Sequence, residues 1–117
     1  MTHWGYHLML DCSGMNSNIA NKQAIEDFTK ELILEIDMEA VGDPIIYYLA
    51  PEPDNSGYSL MQMIQTSNIT AHFVDQSMSG YIDVFSCRTF DIDKAEAVVR
   101  KYFDPTGIRK NFLTRHA

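Results

Sequence analysis

Apolar and polar positions alternate from Tyr6 to Cys12, with Tyr6, Leu8, Leu10 and Cys12 on one face and His7, Met9 and Asp11 on the other. That period of two predicts a strand, closed by Ser13-Gly14. Between about Asn18 and Met38 the period lengthens: Ile25, Phe28, Leu32 and Ile36 recur at helical spacing, and Glu26, Asp27, Lys30, Glu31 and Glu35 fill much of the opposite side. An amphipathic helix is expected there, ended by Gly42 and Pro44. Ile45 to Leu49 reads as a short strand and Pro51 to Gly57 as a loop.

Three more strand-like runs follow, Tyr58 to Gln65, Asn68 to Asp75 and Gly80 to Cys87. The first carries Leu60 and Ile64 on one face and Met61 and Met63 on the other, so both faces are suited to burial. A second helix is expected with Asp91 or Asp93 as its cap and Ala95, Val98, Val99 and Tyr102 along one side. Pro105-Thr106-Gly107 then turns the chain into a last strand, Ile108 to Leu113. The condensed order is β-α-β-β-β-α-β, an α+β fold. Two helices cannot cover both faces of a six-strand sheet. The expected architecture is therefore a two-layer α/β sandwich, mostly antiparallel, with both helices on one face. Its open face is expected to pair with a second copy, giving a four-layer αββα homodimer.

At 117 residues with 45% hydrophobic and 21% charged, the chain reads as a single domain over residues 1–117. Nine basic against 16 acidic residues leave a net charge of -7, which repels phosphate and disfavours nucleic acid or an anionic membrane as partner. No apolar run approaches the roughly 20 residues of a membrane span, and the first residues lack a signal-peptide profile. A cytoplasmic location is expected, with Cys12 and Cys87 as reduced thiols and Asn68-Ile69-Thr70 as a chance sequon. His3, His7, His72 and His116 include no i, i+4 helical pair and neither cysteine sits in a Cys-x-x-Cys pair, so no metal is expected. Gly14 stands alone, and no phosphate-cradling loop is present.

One dense region remains. Ser59, Ser67, His72 and Cys87 all fall on adjacent expected strands or their connections. Singly, they read as ordinary strand-end hydroxyls, a hydrogen-bonded imidazole and a small buried thiol. A Cys87–His72 nucleophile–base pair is conceivable from residue type, but no third member or oxyanion hole accompanies it.

Ser67-Asn-Ile-Thr-Ala-His72 and Gly80-Tyr-Ile-Asp-Val-Phe-Ser-Cys87 together resemble the core of the small prokaryotic S-adenosylmethionine decarboxylase proenzymes. The histidine follows the serine by five residues, the cysteine follows the histidine by fifteen, and Ser59 precedes Ser67 by eight. All three spacings are those of the family. Gly5-Tyr-His7-Leu-Met-Leu-Asp11 resembles its opening strand, and Asp91 through Arg109 its second helix and last strand.

The resemblance implies that Ser67 attacks the carbonyl of Thr66, converts the amide to an ester, and becomes a covalently bound pyruvoyl group after β-elimination. Ser59 and His72 match the positions that assist this processing, and Cys87 matches the proton donor of decarboxylation. The pyruvoyl carbonyl would hold S-adenosylmethionine as a Schiff base and act as electron sink, supplying the aminopropyl donor of spermidine synthesis. The chain departs from the family around this core. Thr66 stands where the family has Glu, and Asn68 where it commonly has His. His72-Phe-Val-Asp75-Gln76 replaces His-Thr-Trp-Pro-Glu, so Gln76 and Asp75 are the expected ribose contacts. Tyr48, or Tyr47, is the expected stacking aromatic. Two alternatives stay open: a pyruvoyl-dependent decarboxylase of arginine or ornithine, and a processing-defective homologue with a binding or regulatory role.

Overall fold

The computed structural model describes residues 3–117. Strand β1 (Gly5–Ser13) forms where the alternation predicts it, with Leu8, Leu10 and Cys12 buried. The expected long helix is divided in two. A 3-10 turn over Ser17–Ala20 precedes α1 (Lys22–Glu35), because the Asn21 side chain caps the second segment by accepting from the Ala24 N–H at 3.1 Å. The helix ends earlier than expected, and at other residues. Asp37 takes a left-handed φ of 57°, Met38 N–H donates to the Ile33 carbonyl and Asp37 N–H to that of Leu34. This is a Schellman closure built on aspartate.

Gly42 and Pro44, expected to stop the helix, lie instead inside β2 (Ala40–Leu49), which is longer than the predicted Ile45–Leu49 strand. They occupy a bulge between Val41 and Ile45 against β3 (Gly57–Ile64), where Gly42 has φ of 74°. The buried Gln62 amide donates to the Gly42 and Met63 carbonyls at 3.2 and 2.8 Å, satisfying backbone that the bulge frees. Strands β4 (Ser67–Val74) and β5 (Ser79–Ser86), helix α2 (Ile92–Phe103) and β6 (Gly107–Arg115) complete the chain. Asp91 is the α2 cap, accepting from the N–H groups of Asp93 and Lys94.

The six strands form one antiparallel sheet in the order β2-β3-β4-β5-β1-β6. All six segments read as strands are strands; four of them separate the helices, one more than the condensed order writes. Both helices lie on one face, giving the expected two layers. Leu60, Ile69, Ile82 and Val84 of the sheet pack with Phe28, Leu32, Val99 and Phe103 of the helices. The helices are clasped to each other by Glu31, which accepts from Lys101 Nζ at 2.8 Å and Tyr102 hydroxyl at 3.0 Å, contacts that hold its carboxyl below the usual range.

The opposite face of the sheet is bare. Ile45, Tyr47, Met61 and Met63 there are 53%, 68%, 58% and 65% exposed, a large apolar area for a sheet face turned to water. Among the described residues, no helix is long and apolar enough to cross a membrane.

Candidate active site

Strands β3 and β4 are joined by only two residues, Gln65 and Thr66, with Ile64 and Ser67 as the closing pair. The Thr66–Ser67 peptide therefore sits at a hairpin tip. Ser67 carries φ of 151°, a backbone region that glycine favours and serine occupies at a cost of about 1–3 kcal/mol. Such strain persists only where the surroundings hold it, and here they do. Gln65 N–H donates to the Glu39 carbonyl at 2.9 Å, and Cys87 N–H donates to the Thr66 carbonyl at 2.8 Å. The Thr66 side chain is held as well. Its hydroxyl accepts from Ser86 Oγ at 2.8 Å and donates to Met38 Sδ at 3.2 Å.

Ser67 is the register partner of Ser86 on β5, which places Cys87 one residue beyond it. Ser67 and Cys87 are both half-buried. Strand β1 approaches this end closely because Gly5 has no side chain: a Cβ there would stand 3.2 Å from the Ser86 carbonyl oxygen and 3.7 Å from Cys87 Cα. Beside it lies an open cleft of about 510 Å³ lined by Trp4, Phe85, Arg115, His116 and Ala117. The Trp4 and Phe85 ring centres are 5.7 Å apart, and the Arg115 guanidinium stands 4.9 Å from the Phe85 centre.

Ser59 and His72 form a second cluster. They are register partners on β3 and β4, and Ser59 Oγ lies 2.8 Å from His72 Nδ1 on the open face. His72 is five residues along β4 from Ser67, roughly 17 Å at about 3.3 Å per residue. The other expected substrate residues share this far end. Tyr48 donates its hydroxyl to Asp75 Oδ2 at 2.7 Å, a bond that pushes the phenol up from its ordinary pKa. Asp75 Oδ1 is buried without a partner. Gln76 follows in the exposed turn after β4, and Tyr47 is the register partner of Ser59 on the open face.

One chain thus brings Thr66, Ser67 and Cys87 together at one end of β4, and Ser59, His72, Tyr48, Asp75 and Gln76 at the other. It does not bring the two sets into contact. The sequence reading missed the Cys87 N–H, which as a main-chain group leaves no trace in residue type. It also passed over Ser86, whose one signal was a hydroxyl at a core-facing strand position. Among the described residues, no three His, Cys, Asp or Glu side chains gather as metal ligands.

The sequence model of a family described as S-adenosylmethionine decarboxylase matches residues 6–116. Among solved structures, the crystal structure of the adenosylmethionine decarboxylase from Aquifex aeolicus VF5 superposes with a TM-score of 0.83 at 17% identity. The match covers 100% of this chain and 94% of that one. No curated protein sequence is found to match the chain.

Proposed function

The chain belongs to the S-adenosylmethionine decarboxylase family, and on that premise we propose that it decarboxylates S-adenosylmethionine with a pyruvoyl group made from Ser67 by self-cleavage. The observation that carries this reading is the hairpin tip. A strained serine follows a carbonyl whose oxygen already accepts a fixed main-chain N–H.

Cleavage begins when Ser67 Oγ bonds to the Thr66 carbonyl carbon. The Thr66–Ser67 C–N bond breaks and the hydroxyl proton ends on the freed amine, leaving an ester. Negative charge develops on the carbonyl oxygen during attack, and the Cys87 N–H is in place to stabilise it. Loss of the Ser67 Cα proton expels the Thr66 carboxylate, and exchange of the nitrogen for water oxygen, with release of ammonia, leaves a pyruvoyl group on the second chain. Residues present at this tip fit that group: Ser67 supplies its atoms, and Cys87 follows Ser86, the register partner of Ser67. The group supplies a carbonyl that takes up the electrons left on an amine substrate when CO₂ departs. Cys87 holds a proton at Sγ for return to the substrate.

Ser59 and His72 carry the proton movements of processing, but from a second copy. With the two-fold axis between the bare faces and perpendicular to the strands, one β4 runs opposite to the other, and the far end of one chain meets the hairpin tip of its partner. The exposed Ile45, Tyr47, Met61 and Met63 supply the apolar contact. Each dimer then contains two composite sites. The unpartnered Asp75 Oδ1, with Gln76 beside it, is the acceptor for the ribose hydroxyls. The product is the aminopropyl donor for spermidine.

The altered segment from His72 to Gln76 favours a second reading, in which a guanidinium or ammonium occupies the Asp75 end and the substrate is arginine or ornithine. Release of CO₂ from carboxyl-labelled S-adenosylmethionine, arginine and ornithine separates the two. The first reading expects release from S-adenosylmethionine alone; release from arginine or ornithine alone establishes the second.

A further inference from the structure

Two consecutive residues of β5 and its continuation grip Thr66 at two points. Ser86 Oγ donates to the Thr66 hydroxyl at 2.8 Å, and Cys87 N–H donates to the Thr66 carbonyl at 2.8 Å. Ser86 is completely buried and is itself fixed, because its Oγ accepts the Arg88 N–H at 3.0 Å. Two acceptors face its own proton, the Thr66 hydroxyl at 2.8 Å and Met38 Sδ at 3.8 Å, and the nearer oxygen is the stronger one. The Thr66 hydroxyl in turn donates to Met38 Sδ, which the Schellman turn after α1 carries beneath the tip. A side chain held at Oγ1 and a carbonyl held at O leave the Thr66 main chain little freedom to rotate. The plane of the Thr66–Ser67 peptide is set by the same two bonds.

We propose that Ser86 is a positioning residue for self-cleavage, acting through the Thr66 hydroxyl to hold the scissile carbonyl toward the Cys87 N–H. Ser86 touches none of the reacting atoms. Its effect falls on the first step, in which the Ser67 Oγ–Thr66 C bond forms, the C–N bond breaks and the proton passes from oxygen to nitrogen. The inference rests on the self-cleavage reading above. It gives threonine a part at this position that a side chain without a hydroxyl would lack.

The test follows cleavage of purified full-length protein by intact mass, with and without hydroxylamine, which splits a waiting ester but leaves an amide. Ser86→Ala and Thr66→Val are each expected to slow cleavage about tenfold, the value of one buried hydrogen bond. The double variant is expected to be no slower than either single one, because both remove the same bond. Thr66→Ser keeps the hydroxyl and should cleave within about twofold of the parent. In Ser86→Ala the hydroxylamine-sensitive fraction should fall, whereas His72→Ala, blocked after ester formation, should accumulate it. A structural role alone would lower the melting temperature of Ser86→Ala without this ester signature. If the parent cleaves and Ser86→Ala matches it, or if the two single effects multiply, the positioning role is wrong and self-cleavage stands. If the parent never cleaves, even with hydroxylamine, both fail.

Discussion

The main-chain N–H of Cys87 donates to the carbonyl oxygen of Thr66 at 2.8 Å. On the proposed reading one residue would serve two steps: its backbone would polarise the bond that must break to make the prosthetic group, and its thiol would be left beside the product. The pairing follows from sheet register, since Ser67 opposes Ser86 and the next residue along β5 reaches back to Thr66. A shift of one residue in the β4–β5 register would separate them.

The strain at Ser67 has a thermodynamic consequence. Glycine accepts φ of 151° without penalty, and alanine does not. Neither Ser67→Gly nor Ser67→Ala should cleave. Ser67→Gly should nevertheless be the more stable by about 1 kcal/mol, the strain relieved less the entropy that glycine gains in the unfolded chain. Urea denaturation of the two uncleaved variants checks this. Equal midpoints would mean that Ser67 is held without strain.

The two thiols should differ sharply. Burial, followed by the nearby negative charge of Asp11, pushes Cys12 up to about 11, and its side chain is closed off from solvent. Iodoacetamide at pH 8 should label the half-buried Cys87 in the native protein and reach Cys12 only after unfolding. A thiol raised from 9.0 to about 11 retains its proton in the fold over a range where the unfolded chain releases it. Its contribution to stability is thus constant below about pH 9 and declines from there toward about pH 11. Cys12→Val should flatten that part of the curve, as paired denaturation series would show.

A composite site can be rebuilt from two broken chains. On the proposed reading Ser67→Ala lacks the nucleophile and His72→Ala the base, so neither should cleave appreciably alone. Mixed dimers hold one site with both groups, made of Ser67 from the His72→Ala chain and His72 from the Ser67→Ala chain. Co-expression should yield cleavage of the His72→Ala chain only, resolved by mass. Met63→Glu, placed on the bare face, should weaken pairing and abolish this rescue. Rescue that persists in a monomeric variant would contradict the shared site.

Most of the fold could be read from periodicity because each sheet residue faces either helices or open space. Leu8, Leu10, Leu60 and Ile82 are buried where alternation puts them. The helix end was misread because Gly42 and Pro44 signal a break without saying of what. They break the β2–β3 ladder, while Asp37, an unusual left-handed residue, ends α1. Ser59, Ser67, His72 and Cys87 stand out in the sequence only through the family resemblance, and separation along the chain does not report distance between clusters. Nor does it report a main-chain donor such as Cys87 N–H, or a bond such as Ser86 to Thr66 that forms only across two strands.

Intact mass of the purified protein after prolonged incubation is the most direct test. Cleavage between Thr66 and Ser67 must give a 66-residue chain and a 51-residue chain, the second with a blocked N-terminus lighter than serine by the loss of ammonia. Reduction with cyanoborohydride in the presence of S-adenosylmethionine should then add substrate-derived mass to the shorter chain alone. A single full-length species, unchanged by hydroxylamine, would contradict the account.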